Sequence, residues 1–288
     1  RVAAEVVAAG GTALPVVTDV SRWEDVDALA LHAIAAFGRI DVWINNASVA
    51  VWSSAETMEP DEIRRVVEVD LLGAMYGSRA AVPHLRATGG TLINIASALA
   101  DRSVPLLSTY SAAKVGVSAF SEALRMELKM SGAGVDVVVI RPSAIDTPFY
   151  SWGHSHLGVR PHPLAVIYPP EAVAKAIVAA AERPQRDIYV GLLGKLLSVA
   201  QRISPMVVDW YMLLGRRELR QQFSDVPDAG ESNLFRSPDE TRIHGDWTEE
   251  TRRGSAYTTV VELHPGLRRG LLAAAALAGV ALLLRRRG

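Results

Sequence analysis

Tyr110 and Lys114 stand four residues apart in the run Ser108-Thr-Tyr-Ser-Ala-Ala-Lys-Val-Gly. On a helix, positions i and i+4 share a face, so this spacing sets an ammonium beside a phenol. A neighbouring cation favours phenolate, which predicts a lowered Tyr110 pKa, and a tyrosine tuned downward can give or take a proton near neutral pH. Ser97 closes the strand-like run Thr91-Leu-Ile-Asn-Ile-Ala-Ser. At a strand's carboxyl end its hydroxyl can hold a carbonyl or alcohol oxygen. The three residues suit interconversion of an alcohol and a carbonyl, with hydride supplied by a cofactor. Tyr-x-x-x-Lys alone is common on amphipathic helices and carries little specificity, so the surrounding elements have to decide.

Those elements alternate. A strand at 14–20 ends in Asp19-Val20 and leads into an amphipathic helix over Trp23–Phe37, with Asp19 or Ser21 as N-cap. A strand at 40–46 opens into the turn Asn45-Asn46-Ala47-Ser48. A long helix from about residue 60 to 85 follows, then a strand at 91–96 and the helix bearing Tyr110, which runs to about residue 131. Strands at 135–140 and 187–190 flank a helix at 171–183. Strand-helix alternation predicts an α/β fold, a doubly wound parallel sheet. In such sheets ligand sites lie at the carboxyl ends of the strands.

Five segments in this order resemble the short-chain dehydrogenase/reductase family from about residue 1 to 190: Leu14-Pro-Val-Val-Thr-Asp-Val, Asp41-Val-Trp-Ile-Asn-Asn-Ala-Ser, the strand ending at Ser97, the Tyr110/Lys114 pair, and Val135 to Phe149. The resemblance implies a Rossmann-like core, NAD or NADP as cofactor, and a small-molecule alcohol or carbonyl substrate. It makes Tyr110 the general acid/base, Lys114 the residue that binds the nicotinamide ribose and tunes Tyr110, and Ser97 the substrate-oxygen anchor. It places Asp19 and Val20 against the adenine, Asn46 and Ala47 beside the cofactor, and Pro142, Ile145 and Thr147 over the nicotinamide. The chain departs from the family pattern at Ser48 and Ser143, where the family has glycines, and at Asp70, where it has a helix-kinking asparagine. The aspartate loses the amide donor but adds a charge able to stabilise Lys114, so Asp70 counts among the catalytic candidates. The family's opening strand, Gly-rich loop and helix have no counterpart here. The resemblance therefore implies a core incomplete at its N-terminus, by roughly 40 residues of a β-α-β unit. It implies a sheet with a gap between 14–20 and 40–46, or one repaired by other pairing. The part that separates NAD from NADP is missing with it.

Composition narrows the rest. Net charge of −1 gives no electrostatic case for nucleic acid. The absence of cysteine excludes disulfides and thiolate metal sites and fits a cytoplasmic, reducing compartment. Residues 146–170 form the expected substrate lid, with Phe149, Tyr150 and Trp152 suited to an apolar substrate. His154, His156 and His162 are not spaced as a helical pair and have no acidic partner nearby in sequence, so the reading assigns no metal site. Residues 191–265 read as an extension, apolar to 217 and a loose polar linker over 218–255. In 266–288 the run Leu271–Leu284 is flanked by Arg268-Arg269 and Arg285-Arg286-Arg287, which predicts a hydrophobic helix able to associate with a membrane. Helices at 60–85 and 108–131 mediate assembly in the family, which implies a homo-oligomer. The rival to an oxidoreductase is a non-catalytic nucleotide-binding scaffold on the same fold.

Overall fold

A computed structural model describes the chain apart from residues 165, 214–221, 229, 231, 239–241, 265, 268–269 and 271–288. In chain order the strands are β1 (Val42–Asn45), β2 (Val51–Trp52), β3 (Thr91–Ile95), β4 (Asp136–Pro142), β5 (His154–Ser155), β6 (Val159–Pro161), β7 (Asp187–Val190) and β8 (Phe223–Pro227). The helices are α1 (Val2–Ala8), α2 (Trp23–Phe37), α3 (Pro60–Val67), α4 (Gly73–Thr88), α5 (Ser108–Met130), α6 (Phe149–Trp152), α7 (Pro170–Glu182), α8 (Leu192–Ile203) and α9 (Pro205–Leu213).

Four strands make one parallel sheet in the order β1-β3-β4-β7. Its strands are apolar on both faces because helices cover both, as a parallel sheet requires. Side chains alternate between faces along a strand. Leu92 and Val137 pack with Val26, Ala30, Ala81 and Leu85 of α2 and α4. Ile93, Val138 and Ile140 pack on the other side with Ala176 and Ala180 of α7. All strands point the same way, so the ends of β1, β3 and β4 open at one edge and bring residues 45–48, 96–98 and 143–147 to it.

From α3 to α4 the helical path is continuous except for a π turn over Glu68–Leu72. Such turns break the regular hydrogen-bond ladder and mark functional positions. Asp70 lies in it, where the family resemblance places a helix kink.

Three expectations are corrected. Residues 14–20 form no strand and enter a turn at Val20: Leu14 and Val17 are exposed, and among the described residues neither this segment nor the outer edge of β1 has a strand partner. Alternating apolar residues give a strand only when a neighbour takes up its backbone groups. The N-cap of α2 is Arg22, with no side-chain cap; Asp19 turns back to accept the backbone N–H and hydroxyl of Ser21. The linker expected to be loose is instead tied to the core at several points. Leu234 is fully buried against Val49 and Val66. The Arg252 N–H donates to the Ile167 carbonyl, and the Thr258 hydroxyl accepts the Gly191 N–H. Gly245 crosses so close to the loop after β4 that a Cβ there would stand 2.6 Å from Asp146 Oδ1.

Among the described residues no helix is long and apolar enough to cross a membrane. The run 271–288, expected as a hydrophobic helix, lies outside them.

Candidate active site

Tyr110 and Lys114 occupy the first turns of α5, and Ser97 follows β3 as the cap of a single 3₁₀ turn. The Leu99 N–H donates to Ser97 Oγ at 3.1 Å, which orients the hydroxyl and leaves its proton free to point away from the backbone. The Ser97 hydroxyl lies near enough to the Tyr110 phenol to draw its pKa down against the effect of burial. Lys114 Nζ lies 5.5 Å from the centre of the Tyr110 ring, donates to the Ile95 carbonyl at 3.2 Å, and pairs with Asp70 Oδ2 at 3.5 Å. Asp70 Oδ2 also accepts from Ser48 Oγ at 2.5 Å, and Oδ1 from the Val49 N–H at 2.8 Å.

This site is dry. Tyr110 is 9% exposed, Ser97 8%, Lys114 2% and Asp70 1%. Burial raises the Asp70 carboxyl pKa, and the Lys114 charge and the bonds from Ser48 and Val49 only partly offset it. Burial also pushes the Tyr110 phenol well above its ordinary value; the Asp70 charge adds to the rise, and the Ser97 hydroxyl opposes it. The expectation of a phenol tuned down by Lys114 is thus overturned for the protein on its own. The lysine's charge is spent on a buried carboxylate that itself disfavours phenolate.

The two serines that replace family glycines sit without strain. Among the described non-glycine residues only Leu106 has positive φ, so neither Ser48 nor Ser143 needs glycine's freedom. Ser48 secures Asp70, and Ser143 Oγ accepts the Gly194 N–H at 3.2 Å.

Asn45 and Asn46 have separate surroundings. Asn45 is tied into the scaffold by bonds to Asn94, Ser78 and the Ala74 carbonyl, whereas Asn46 and Ala47 are exposed at the sheet edge. Pro142 ends β4, and Ile145 and Thr147 lie on the loop after it, where Ile145 bridges to Tyr168. Asp19 and Val20 stand apart, at the start of α2: Asp19 pairs with Arg65 at 3.4 Å, and Val20 packs against Gly73.

Sequence reasoning placed Phe149 and Tyr150 in the lid but missed Trp52, Leu157 and Met212 beside them. All five gather beside Tyr110, with the Phe149 ring centre 5.3 Å from that of Tyr110. It also missed Glu62. The lid histidines do have an acidic partner, since His154 and His156 both reach Glu62 from β5 and its end. A separate cavity of about 440 Å³ lies against Arg125, Arg141 and Tyr189 and contains none of the candidate catalytic residues.

Comparison with known proteins fixes the family. The sequence matches the short chain dehydrogenase family over residues 1–153. The chain belongs to that family of oxidoreductases. Among curated relatives, it is 41% identical over 206 residues to the uncharacterized oxidoreductase YxnA of Bacillus subtilis, covering 70% of this chain and 58% of that protein. It is 33% identical over 193 residues to the putative oxidoreductase SadH of Mycobacterium tuberculosis, covering 64% of this chain and 70% of that one. The fold matches a solved structure of an alcohol dehydrogenase from the archaeon Thermococcus sibiricus complexed with 5-hydroxy-NADP. The TM-score is 0.57 at 23% identity, over 66% of this chain and 79% of the other. As a member of the family, the chain carries its α/β parallel-sheet architecture.

Proposed function

We propose that this short-chain dehydrogenase interconverts a secondary alcohol and a ketone of apolar character, with NAD or NADP as cofactor. The observation that carries the reading is the shared burial of Ser97, Tyr110 and Lys114 at the carboxyl end of β3, with Lys114 Nζ 5.5 Å from the centre of the Tyr110 ring. The residues fit the nicotinamide end of a dinucleotide. Lys114 and the exposed Asn46 suit the ribose, while the backbone of Ile145 and the hydroxyl of Thr147 suit the carboxamide. When bound, the nicotinamide supplies or takes up hydride.

The protein's own part is proton handling. Ser97 donates to the substrate oxygen and fixes it beside the phenol. In reduction Tyr110 gives its proton to that oxygen; in oxidation it takes the alcohol proton. In the protein on its own the raised pKa keeps the phenol protonated but makes it a weaker proton donor than an ordinary tyrosine. Asp70 holds Lys114 in one position through a buried pair. The aromatic wall of Trp52, Phe149 and Tyr150 excludes water and selects an apolar carbon skeleton.

The test is Tyr110→Phe, followed by NADH and NADPH oxidation with an alicyclic ketone. Turnover should fall by roughly 10²–10⁴-fold, with cofactor affinity within about twofold of the native chain. Unchanged turnover removes Tyr110 from its role.

A second reading concerns placement. The run Leu271–Leu284 with its arginine flanks, together with Met206, Val207, Trp210 and Tyr211 exposed on α9, supports association with a membrane surface. Flotation of the full chain with anionic vesicles, against the chain ending at residue 265, tests it; equal flotation of both removes the tail from that role. The family's use of its long helices supports a homo-oligomer, which light scattering on the eluted protein checks; a monomer mass sinks it.

A further inference from the structure

We propose that Glu62, His154 and His156 form a site for one divalent transition-metal ion of the Zn²⁺ type, fastening the lid to the start of α3. This goes beyond the oxidoreductase reading and does not depend on it.

The three donor atoms are brought together by three separate elements of local order. Glu62 lies in the first turn of α3, where a capping box holds it: its Oε2 accepts the Glu59 N–H at 3.0 Å. The carboxylate is thereby aimed before any ion arrives, with Oε1 turned toward the lid. His154 opens β5 and His156 lies two residues on, so the strand's period of two puts both rings on one face. Strand β5 is itself fixed in register, with Val51 facing His154 and the His154 and His156 N–H groups donating to the Ala50 and Trp52 carbonyls.

The result is convergent. His154 Nε2 lies 3.0 Å from Glu62 Oε1, and His156 Nε2 lies 2.9 Å from it. One ligand atom from each residue falls within 4.8 Å of the others. With Zn–N and Zn–O bonds near 2.1 Å, ligand atoms at tetrahedral angles stand about 3.4 Å apart. The two histidine–carboxylate spacings need to open by about half an ångström, and the two imidazole donors lie within 4.8 Å of one another. Glu62 is nearly buried, while the side chains of His154 and His156 are 34% and 32% exposed. An ion would enter from solvent and keep a water in its fourth position.

Two imidazoles and one carboxylate suit Zn²⁺, Co²⁺ or Ni²⁺ and not Mg²⁺ or Ca²⁺, which take oxygen ligands. The ion would not face the candidate catalytic cluster directly. It would fix β5 to α3, on a lid whose β2 partner carries Trp52 in the wall over Tyr110. Its role is to hold that wall in place.

The experiment uses the full chain without a histidine tag, stripped with a chelator. Zn²⁺ is titrated by calorimetry and Co²⁺ by its visible ligand-field absorption. One equivalent should bind, and His154→Gln and His156→Gln should each weaken Zn²⁺ binding by about 10–100-fold. Glu62→Gln keeps an oxygen for the capping box and should also weaken binding. Zn²⁺ should slow proteolytic cutting within residues 153–161 in the native chain and leave the double histidine variant unaffected. His162 and His244 pair with Glu250 and Glu171 elsewhere. One equivalent bound equally tightly by the double variant, with native far-ultraviolet circular dichroism, assigns the metal to those or other sites and overturns the proposal. Binding of well under one equivalent by the native chain overturns it too.

Discussion

The candidate catalytic cluster and the Asp19 corner both join a carboxylate to a cation, and burial makes them different objects. At the first, Asp70 and Lys114 are sealed between α5 and the π turn, and the Asp70 pKa rises because burial outweighs the lysine. At the second, Asp19 is 40% exposed beside Arg65; desolvation is the largest single influence and raises its pKa, but the two bonds from Ser21 and the charge and bond of Arg65 together outweigh it, so the pKa falls. The same pair of charge types is under tension in one place and at ease in the other. A buried pair is held together by what breaking it would cost, whereas a wet pair is worth little either way.

The largest expected effect on this comparison is at Lys114. Lys114→Met leaves a buried carboxylate without its cation and should lower unfolding free energy by about 3–5 kcal/mol in urea titration at pH 7. A loss comparable to that of a surface pair would erase the distinction. Asp70→Asn is the next in size. It removes a negative charge that raises the Tyr110 pKa, so the limb of the alcohol-oxidation pH profile that requires phenolate should move to lower pH. A limb that stays put or moves up contradicts the assigned cause.

The same variant has a stability signature. A folded-state pKa raised above the unfolded one means the folded protein holds the Asp70 proton more tightly. That contribution is present below the unfolded value of about 4 and is lost as pH rises through the folded value. Native stability relative to Asp70→Asn should therefore decline with rising pH from that point. Smallest is Asp19→Asn, expected to cost roughly 0.5 kcal/mol or less at neutral pH because solvent screens the pair. Its sign runs the other way: a lowered folded pKa gives stability present above the unfolded value and lost as pH falls. Denaturant midpoints across an acid-to-neutral series check both signs.

What could be read in advance was local. Ser97, Tyr110 and Lys114 were legible because a strand end and a helical i, i+4 spacing fix them from short stretches of chain. The break at Asp70 was legible through the family pattern. The sign of the Tyr110 shift was not, because it depends on which carboxylate Lys114 meets across the fold. Glu62 and His154 are joined across β5, a strand of two residues that exists through its pairing with Val51-Trp52. No periodicity that short is visible in a sequence. Residues 14–20 failed in the opposite sense: their pattern is strand-like, and the partner that would make them one is not among the described strands. The stretch 218–255 looked polar and loose because its buried anchors among the described residues, Gln222, Leu234 and Ser255, are separated by residues that mostly face water.

Asp146 shows how far the extension reaches into the working part of the molecule. It sits between Ile145 and Thr147, is wholly buried, and accepts the Trp247 N–H at 3.1 Å and the Thr248 hydroxyl at 3.0 Å. Trimming the chain ahead of residue 245 would take both donors and their cover away from that carboxylate. The loop expected to lie over the nicotinamide is therefore sutured by residues about a hundred positions downstream, and a shortened protein should lose its grip on that ring before it loses its sheet.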